Sequence, residues 1–168
     1  NARTPGSNPN EPPVVLEGEQ EVNGFVLGAN GEIVDRWAVF ANYSYMDGEV
    51  TSSNRPFEVG QRLDFLPRHS FSLWTTYQLT PAVRIAGGMQ HVSERISNIR
   101  AAANAPFAIT VAGYTIFDAL AVWRVSEEVE LRLNLYNLTD ETYFQSFQQS
   151  HAIPAPRRSA VLTLAVGF

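Results

Sequence analysis

The sequence predicts an all-β chain of the antiparallel up-and-down transmembrane β-barrel class. Three observations carry this expectation. Long stretches alternate apolar and polar side chains, the two-residue period of a strand. The links between them are short and long in strict turn, as in outer-membrane barrels with tight turns at one end and long loops at the other. Aromatic residues gather near strand ends, where the interfacial girdles of a barrel lie.

Composition sets the bounds. The chain has 168 residues, 45% of them apolar, with three Trp, six Tyr, ten Phe and a formal net charge of −5. That length suits one domain. The absence of Cys excludes a disulfide scaffold, a thiolate metal site and a Cys nucleophile. All 12 basic residues are Arg, yet the acidic balance argues against nucleic acid as a partner. No apolar run approaches the roughly 18 residues of a membrane-crossing helix. The chain starts with Asn and carries no signal-peptide pattern, so it is expected to be a processed product or a piece of something longer.

Residues 1–17 hold Pro5, Pro9, Pro12 and Pro13 among Asn, Gly, Ser and Glu, which reads as an extended surface segment. The alternating region is 18–168. Segment 19–27 is rich in Glu and weakly apolar. Segment 36–48 puts Trp37, Val39, Ala41, Tyr43 and Tyr45 on one face. In 69–79, Phe71, Leu73, Tyr77 and Leu79 oppose Ser70, Ser72, Thr76 and Gln78, with Trp74 among the polar set and Thr75 among the apolar one. Segment 82–95 also fits a helical stripe, but Gly87-Gly88 costs a helix about 1 kcal/mol per residue, so a strand is expected. Segment 114–125 sets Phe117, Ala119, Ala121 and Trp123 against Tyr114, Asp118 and Arg124. The clearest strand is 129–136: Val129, Leu131, Leu133 and Leu135 face away from Glu130, Arg132, Asn134 and Tyr136. In the last, 157–168, Ala160, Leu162, Leu164, Val166 and Phe168 share a face.

Short links are expected near 28–35, 79–82 and 125–128, and long ones near 49–67, 96–112 and 139–156. Trp37, Tyr77 and Trp123 lie beside short turns; Tyr43, Tyr45 and Tyr114 lie toward long loops, as two girdles would. A soluble β-sandwich also alternates. Strands of about 10–13 residues exceed the usual 5–6 of globular sheets, however, and match tilted membrane strands. The Ser, Thr, Asn, Glu and Arg of the second face suit a watery lumen better than a dry core.

The segment Asn134-Leu135-Tyr136-Asn137-Leu138-Thr139-Asp140-Glu141-Thr142-Tyr143 resembles a signature near the C-terminus of TonB-dependent outer-membrane receptors. Pro156-Arg157 and the alternation up to Phe168 resemble their last strand. Tyr43 to Asp47 and Pro67 to Trp74 resemble the siderophore-receptor branch, and Gly113-Tyr114 through Asp118 fits the strand before the signature. One departure is Gln20, where the family places an apolar, lipid-facing residue.

The resemblance implies a plug inside a barrel of about 22 strands, of which residues 18–168 would supply the final seven and residues 1–17 a remnant of an extracellular loop. It implies a ferric siderophore as transported ligand, no resident cofactor, and the outer membrane of a Gram-negative bacterium as location. The implied partners are outer-membrane lipid, the missing plug and remaining strands, TonB, and the barrel-assembly machinery, which would read Leu162, Leu164, Val166 and Phe168. Such a segment alone would not transport, and no enzyme activity is implied. A porin, a lipid-modifying barrel enzyme and a soluble sandwich module stand as alternatives.

Ligand contacts are expected in the outer loops, where Arg100, Phe107, Tyr143, Phe144, Phe147 and His151 could hold a flat iron chelate by stacking and hydrogen bonding. Packing among the loops is the competing role for the aromatics. Arg55, Arg62 and Arg68 could meet lipid phosphate or stay solvated. His69, His91 and His151 are far apart, which favours structural roles over metal binding. Asn137 and Asp140 are expected to organise the strand-to-loop transition through side-chain to backbone hydrogen bonds.

Overall fold

A computed structural model describes residues 3–4, 14–15, 18–54, 56–97, 109–148 and 151–167. Seven strands form one antiparallel sheet: β1 (Glu19–Val34), β2 (Trp37–Ser52), β3 (His69–Thr80), β4 (Val83–Val92), β5 (Tyr114–Arg124), β6 (Val129–Tyr136) and β7 (Ser159–Val166). Each pairs with its neighbours in the chain, so the sheet is a meander with β1 and β7 at its edges. Short two-stranded ladders stand apart from it: Arg3–Thr4 with Val14–Val15, Arg95–Ser97 with Ile109–Val111, and Phe144–Gln148 with His151–Pro154.

The strands follow the alternation closely, and β6 has the bounds read from the pattern. The first turn is a correction. Gly28 to Val34 is strand, and only Asp35-Arg36 turns, with Arg36 at φ 70°. The turn chemistry of Asn30-Gly31 lost to cross-strand pairing, since Gly28 lies opposite Asn42, Asn30 opposite Phe40 and Gly31 opposite Val39. The fourth strand stops at Val92, and Arg95–Ser97 belongs to a separate ladder.

The register sorts the side chains into two faces. One carries Phe25, Leu27, Val39, Tyr43, Tyr45, Phe71, Leu73, Ile85, Met89, Phe117, Leu131, Leu133, Leu162 and Leu164. The other carries Asn42, Ser44, Ser70, Ser72, Gln90, Asp118, Arg132, Asn134 and Thr163. Gln20, opposite Val50, falls on this second face, and the lipid-side positions of β1 belong to Phe25 and Leu27. Tyr114 also lies on the second face, opposite Val92, and so is not part of the outer girdle. Tyr43 and Tyr45 are on the apolar face, clustered with Phe25 and His69.

Two residues break the alternation for local reasons. Trp74 sits on the polar face because Gly88 opposite it leaves room; a Cβ there would meet Cε3 and Cζ3 of the indole. Thr75 sits on the apolar face because its hydroxyl is used: it accepts from Trp37 Nε1 (2.6 Å) and donates to the Ala38 carbonyl (3.2 Å).

Burial tells which way the sheet curves. Among the described residues, the buried apolar side chains on wall strands are Ala86, Ile116 and Val122, all on the polar face. Leu162 and Leu164 are 70% and 60% exposed on the apolar face. Side chains crowd on the concave side of a curved sheet and splay on the convex one, so the sheet bends toward its polar face. No described side chain is fully buried, and Leu131, Leu133, Leu162 and Leu164 share an open surface rather than a core. A continuous apolar surface of this extent is what hydrocarbon, not water, solvates.

Candidate functional site: the outer corner

The longest set of specific contacts lies where β6 leaves the sheet. Asn137 and Asp140 both take left-handed backbone, φ 51° and 56°, which Asn and Asp tolerate better than most residues. Asn137 is 3% exposed, and its polar atoms are engaged. Its amide N–H donates to Asp118 Oδ1 on β5 (2.8 Å). Its Nδ2 donates to the carbonyls of Glu141 (2.9 Å) and Pro156 (3.3 Å), and its Oδ1 accepts from Glu141 N–H (2.8 Å). One side chain thus closes the turn and ties it to the segment that returns into β7.

Asp140 makes the second tie. Arg157 donates to it from Nε (3.0 Å) and Nη2 (2.7 Å), the forked geometry that guanidinium and carboxylate share. The Arg158 N–H adds a third bond at 3.0 Å, and Arg157 Nη1 also donates to Thr142 Oγ1. The Arg157 bond and then the Arg158 amide hold the Asp140 carboxyl down to about 2. The same pairing raises Arg157, so both stay charged.

These ties present Tyr143. Its carbonyl accepts from Ala155 N–H (2.9 Å), and its ring stacks on Tyr114 with centroids 4.2 Å apart and planes at 30°. Burial pushes the Tyr143 phenol above its ordinary value, with Tyr114 and Asp118 acting in the same direction, so it remains a neutral donor. Beside it is a cleft of about 290 Å³ between Ile109–Gly113 and Glu141–Phe144. The cleft is mainly apolar, with Thr110, Glu141, Thr142 and Tyr143 as its polar side chains. It can take a ring or a flat chelate edge.

Other expected site residues fall elsewhere. Arg100, Phe107 and Phe168 lie outside the described residues, as do Arg55 and most of 1–17. Phe144 lines the cleft with Tyr143. Phe147 and His151 are in the ladder, opposite Ala152 and Gln148. Asn134 is on the polar face of β6, opposite Leu120 and Val161, away from the corner. Leu138 donates its N–H to Phe117 O, and Pro156 supplies a carbonyl to Asn137. Leu162, Leu164 and Val166 are exposed on β7. His69 meets the Tyr43 hydroxyl and His91 the Thr115 hydroxyl, each through Nδ1 at 2.8 Å. Arg68 pairs with Asp47 (3.0 Å) and Arg62 with Glu94 (3.8 Å). No group of three metal-ligating side chains occurs among the described residues. Tyr114, Asp118 and Glu141 were missed as site residues. Their period-two placement puts them on the inward face or in a turn, but only the register brings them to Tyr143 and Asn137.

A family model for the β-barrel of TonB-dependent receptor-like proteins matches residues 2–138. The chain is 36% identical over 156 residues to the probable TonB-dependent receptor BfrD of Bordetella pertussis, covering 90% of this chain and 21% of that protein. It is 36% identical over 162 residues to the probable TonB-dependent siderophore receptor PiuA of Acinetobacter baumannii, again covering 90% and 21%. The crystal structure of PiuA superposes with a TM-score of 0.77 at 31% identity, over 89% of this chain and 22% of that one. The closed form of the ferric-catecholate import receptor Fiu from Escherichia coli gives 0.78 at 25% identity, over 90% and 21%. The chain therefore spans about a fifth of the length of these relatives. It is a segment of outer-membrane β-barrel wall and belongs to the TonB-dependent receptor-like β-barrel family.

Proposed function

We propose that this chain is wall and outer-loop structure of an outer-membrane transporter that binds and imports a ferric siderophore, energised through TonB. The observation that carries the reading is the membrane-type wall, apolar on its convex face and polar on its concave one, capped by an aromatic cleft at the loop bases. The relatives named above are receptors and an importer, which favours transport over catalysis. In this role no bond of the ligand is made or broken. The apolar face rests against outer-membrane lipid, the polar face meets a plug, and coupling to TonB passes through parts of the protein beyond this segment. Residues 1–17 would begin in an extracellular loop, and the exposed alternation of β7, together with Phe168 in the sequence, would be read by the barrel-assembly machinery.

The cleft would hold an aromatic ring of the chelate against Tyr143 and Phe144; Arg100, Phe107, Phe147 and His151, in the same two loops of the sequence, are the further candidate contacts. Stacking of this kind contributes about 0.5–1.5 kcal/mol. Tyr143→Ala in the intact receptor should therefore weaken binding of a ferric catecholate about two- to tenfold. Radio-iron uptake by cells carrying the receptor as their only route tests the reading. Uptake that needs both the receptor and TonB supports it; uptake of no ferric siderophore by a folded receptor overturns it.

A further inference from the structure

The three outer loops are joined at their bases. The loop after β2 folds back along it: Leu63 N–H donates to Gly48 O (2.9 Å) and Val50 N–H to Gln61 O (3.0 Å). Gly48 permits this, since a Cβ there would meet Leu66 Cδ2 and Leu63 Cδ1 at 2.6 and 2.9 Å. That loop then reaches the next. Phe65 N–H donates to Ile96 O (2.8 Å), and Arg62 Nη1 lies 3.8 Å from Glu94 Oε1. Among the described residues, the second loop reaches the third through Arg95: its Nη2 donates to Phe144 O at 2.9 Å. Arg95 is opposite Val111 in its ladder, so it stands against both walls of the cleft, and its Nε is buried.

We propose that Arg95 is a positioning residue, the joint that makes the three outer loops one body and fixes the Phe144 wall of the cleft. Glu94, Arg95 and Ile96 are consecutive, and each contacts another loop. Displacing the Arg95–Ser97 ladder therefore strains contacts to the loops before and after it. Arginine suits the joint because its fork can engage several carbonyls while its stem stays packed. On the receptor reading, the loops would then engage or release a chelate together rather than one by one.

The test uses the intact receptor in vesicles, with spin labels at Val59 and Thr139, in the first and third loops, and no ligand. Arg95→Ala should broaden the interlabel distance distribution about twofold, and Arg95→Lys, which keeps the charge and one donor nitrogen, should restore part of the narrow distribution. Gel mobility of the unheated barrel confirms folding. If Arg95→Ala abolishes the folded band, Arg95→Gln, too short to reach Phe144, gives the same reading. An unchanged width in a folded Arg95→Ala or Arg95→Gln receptor overturns the joint, whatever the ligand. Chelate affinity, measured separately, bears on the transport reading alone.

Discussion

An arginine at Leu133 tests the assignment of the two faces. Leu133 is mid-strand in β6, flanked by Ala121 on β5 and Leu162 on β7, all on the apolar face. If that face meets hydrocarbon, Leu133→Arg places a cation near the bilayer midplane, at a cost of about 2–4 kcal/mol. That is about 30- to 1,000-fold in a folding equilibrium. The neighbouring Asn134 lies on the concave face, beside Leu120 and Val161. Asn134→Arg meets water there and should cost only about 0–1 kcal/mol. The assay is a denaturant titration of the intact receptor refolding into lipid vesicles, comparing each variant with the parent. Equal costs for the two arginines, or a larger one at Asn134, would refute the reasoning.

Other outcomes follow from the same geometry. Asn137→Ala should destabilise by about 2–4 kcal/mol in that titration, since it strips partners from part-buried backbone groups of Glu141 and Pro156 and leaves Ala at positive φ. Asp140 has a folded value near 2, below its ordinary 3.8. Its contribution is therefore complete above about pH 4 and disappears as pH falls through 2. Hydrogen-exchange protection of the Arg158 amide should accordingly be the same at pH 5 and pH 8, and loss of protection between them would contradict the ion-pair assignment. Gly88→Ala should displace the Trp74 indole and cost about 1–3 kcal/mol, read by titration and tryptophan fluorescence. Gly87→Ala, whose nearest atom is Asp118 O at 3.8 Å, should change stability by less than about 0.5 kcal/mol.

The wall was legible in the sequence because period-two alternation is forced residue by residue in a strand with unlike solvents on its faces. β6 reads this way without error, since its strict alternation from Val129 to Tyr136 is broken by no Gly, Pro or turn pair and outweighs the helix preference of its leucines. The first hairpin does not, because the turn-forming residues Gly28 to Gly31 are held extended by their partners on β2. Trp74 and Thr75 looked like noise in the pattern; each is explained by a neighbour distant in sequence, Gly88 and Trp37. The corner was half legible. Asn137 and Asp140 announce a turn by residue type, but Asp118, Arg157 and Tyr114 reach it only through register. The cleft could not be read at all, because residues 109–113 and 141–144 meet only after β5 and β6 have paired.

The central claim is that the exposed leucine face looks into hydrocarbon and the hydroxyl- and amide-bearing face looks into water. Spin labels placed singly along 131–134 of β6 and 161–164 of β7 in the membrane-embedded receptor test it directly, read by collision with lipid-soluble oxygen and with a water-soluble paramagnetic complex. The account predicts a two-residue alternation: oxygen contact at 131, 133, 162 and 164, and aqueous contact at 132, 134, 161 and 163. Water contact at Leu133 and Leu162 together with oxygen contact at Asn134 and Thr163, or no alternation, would contradict it.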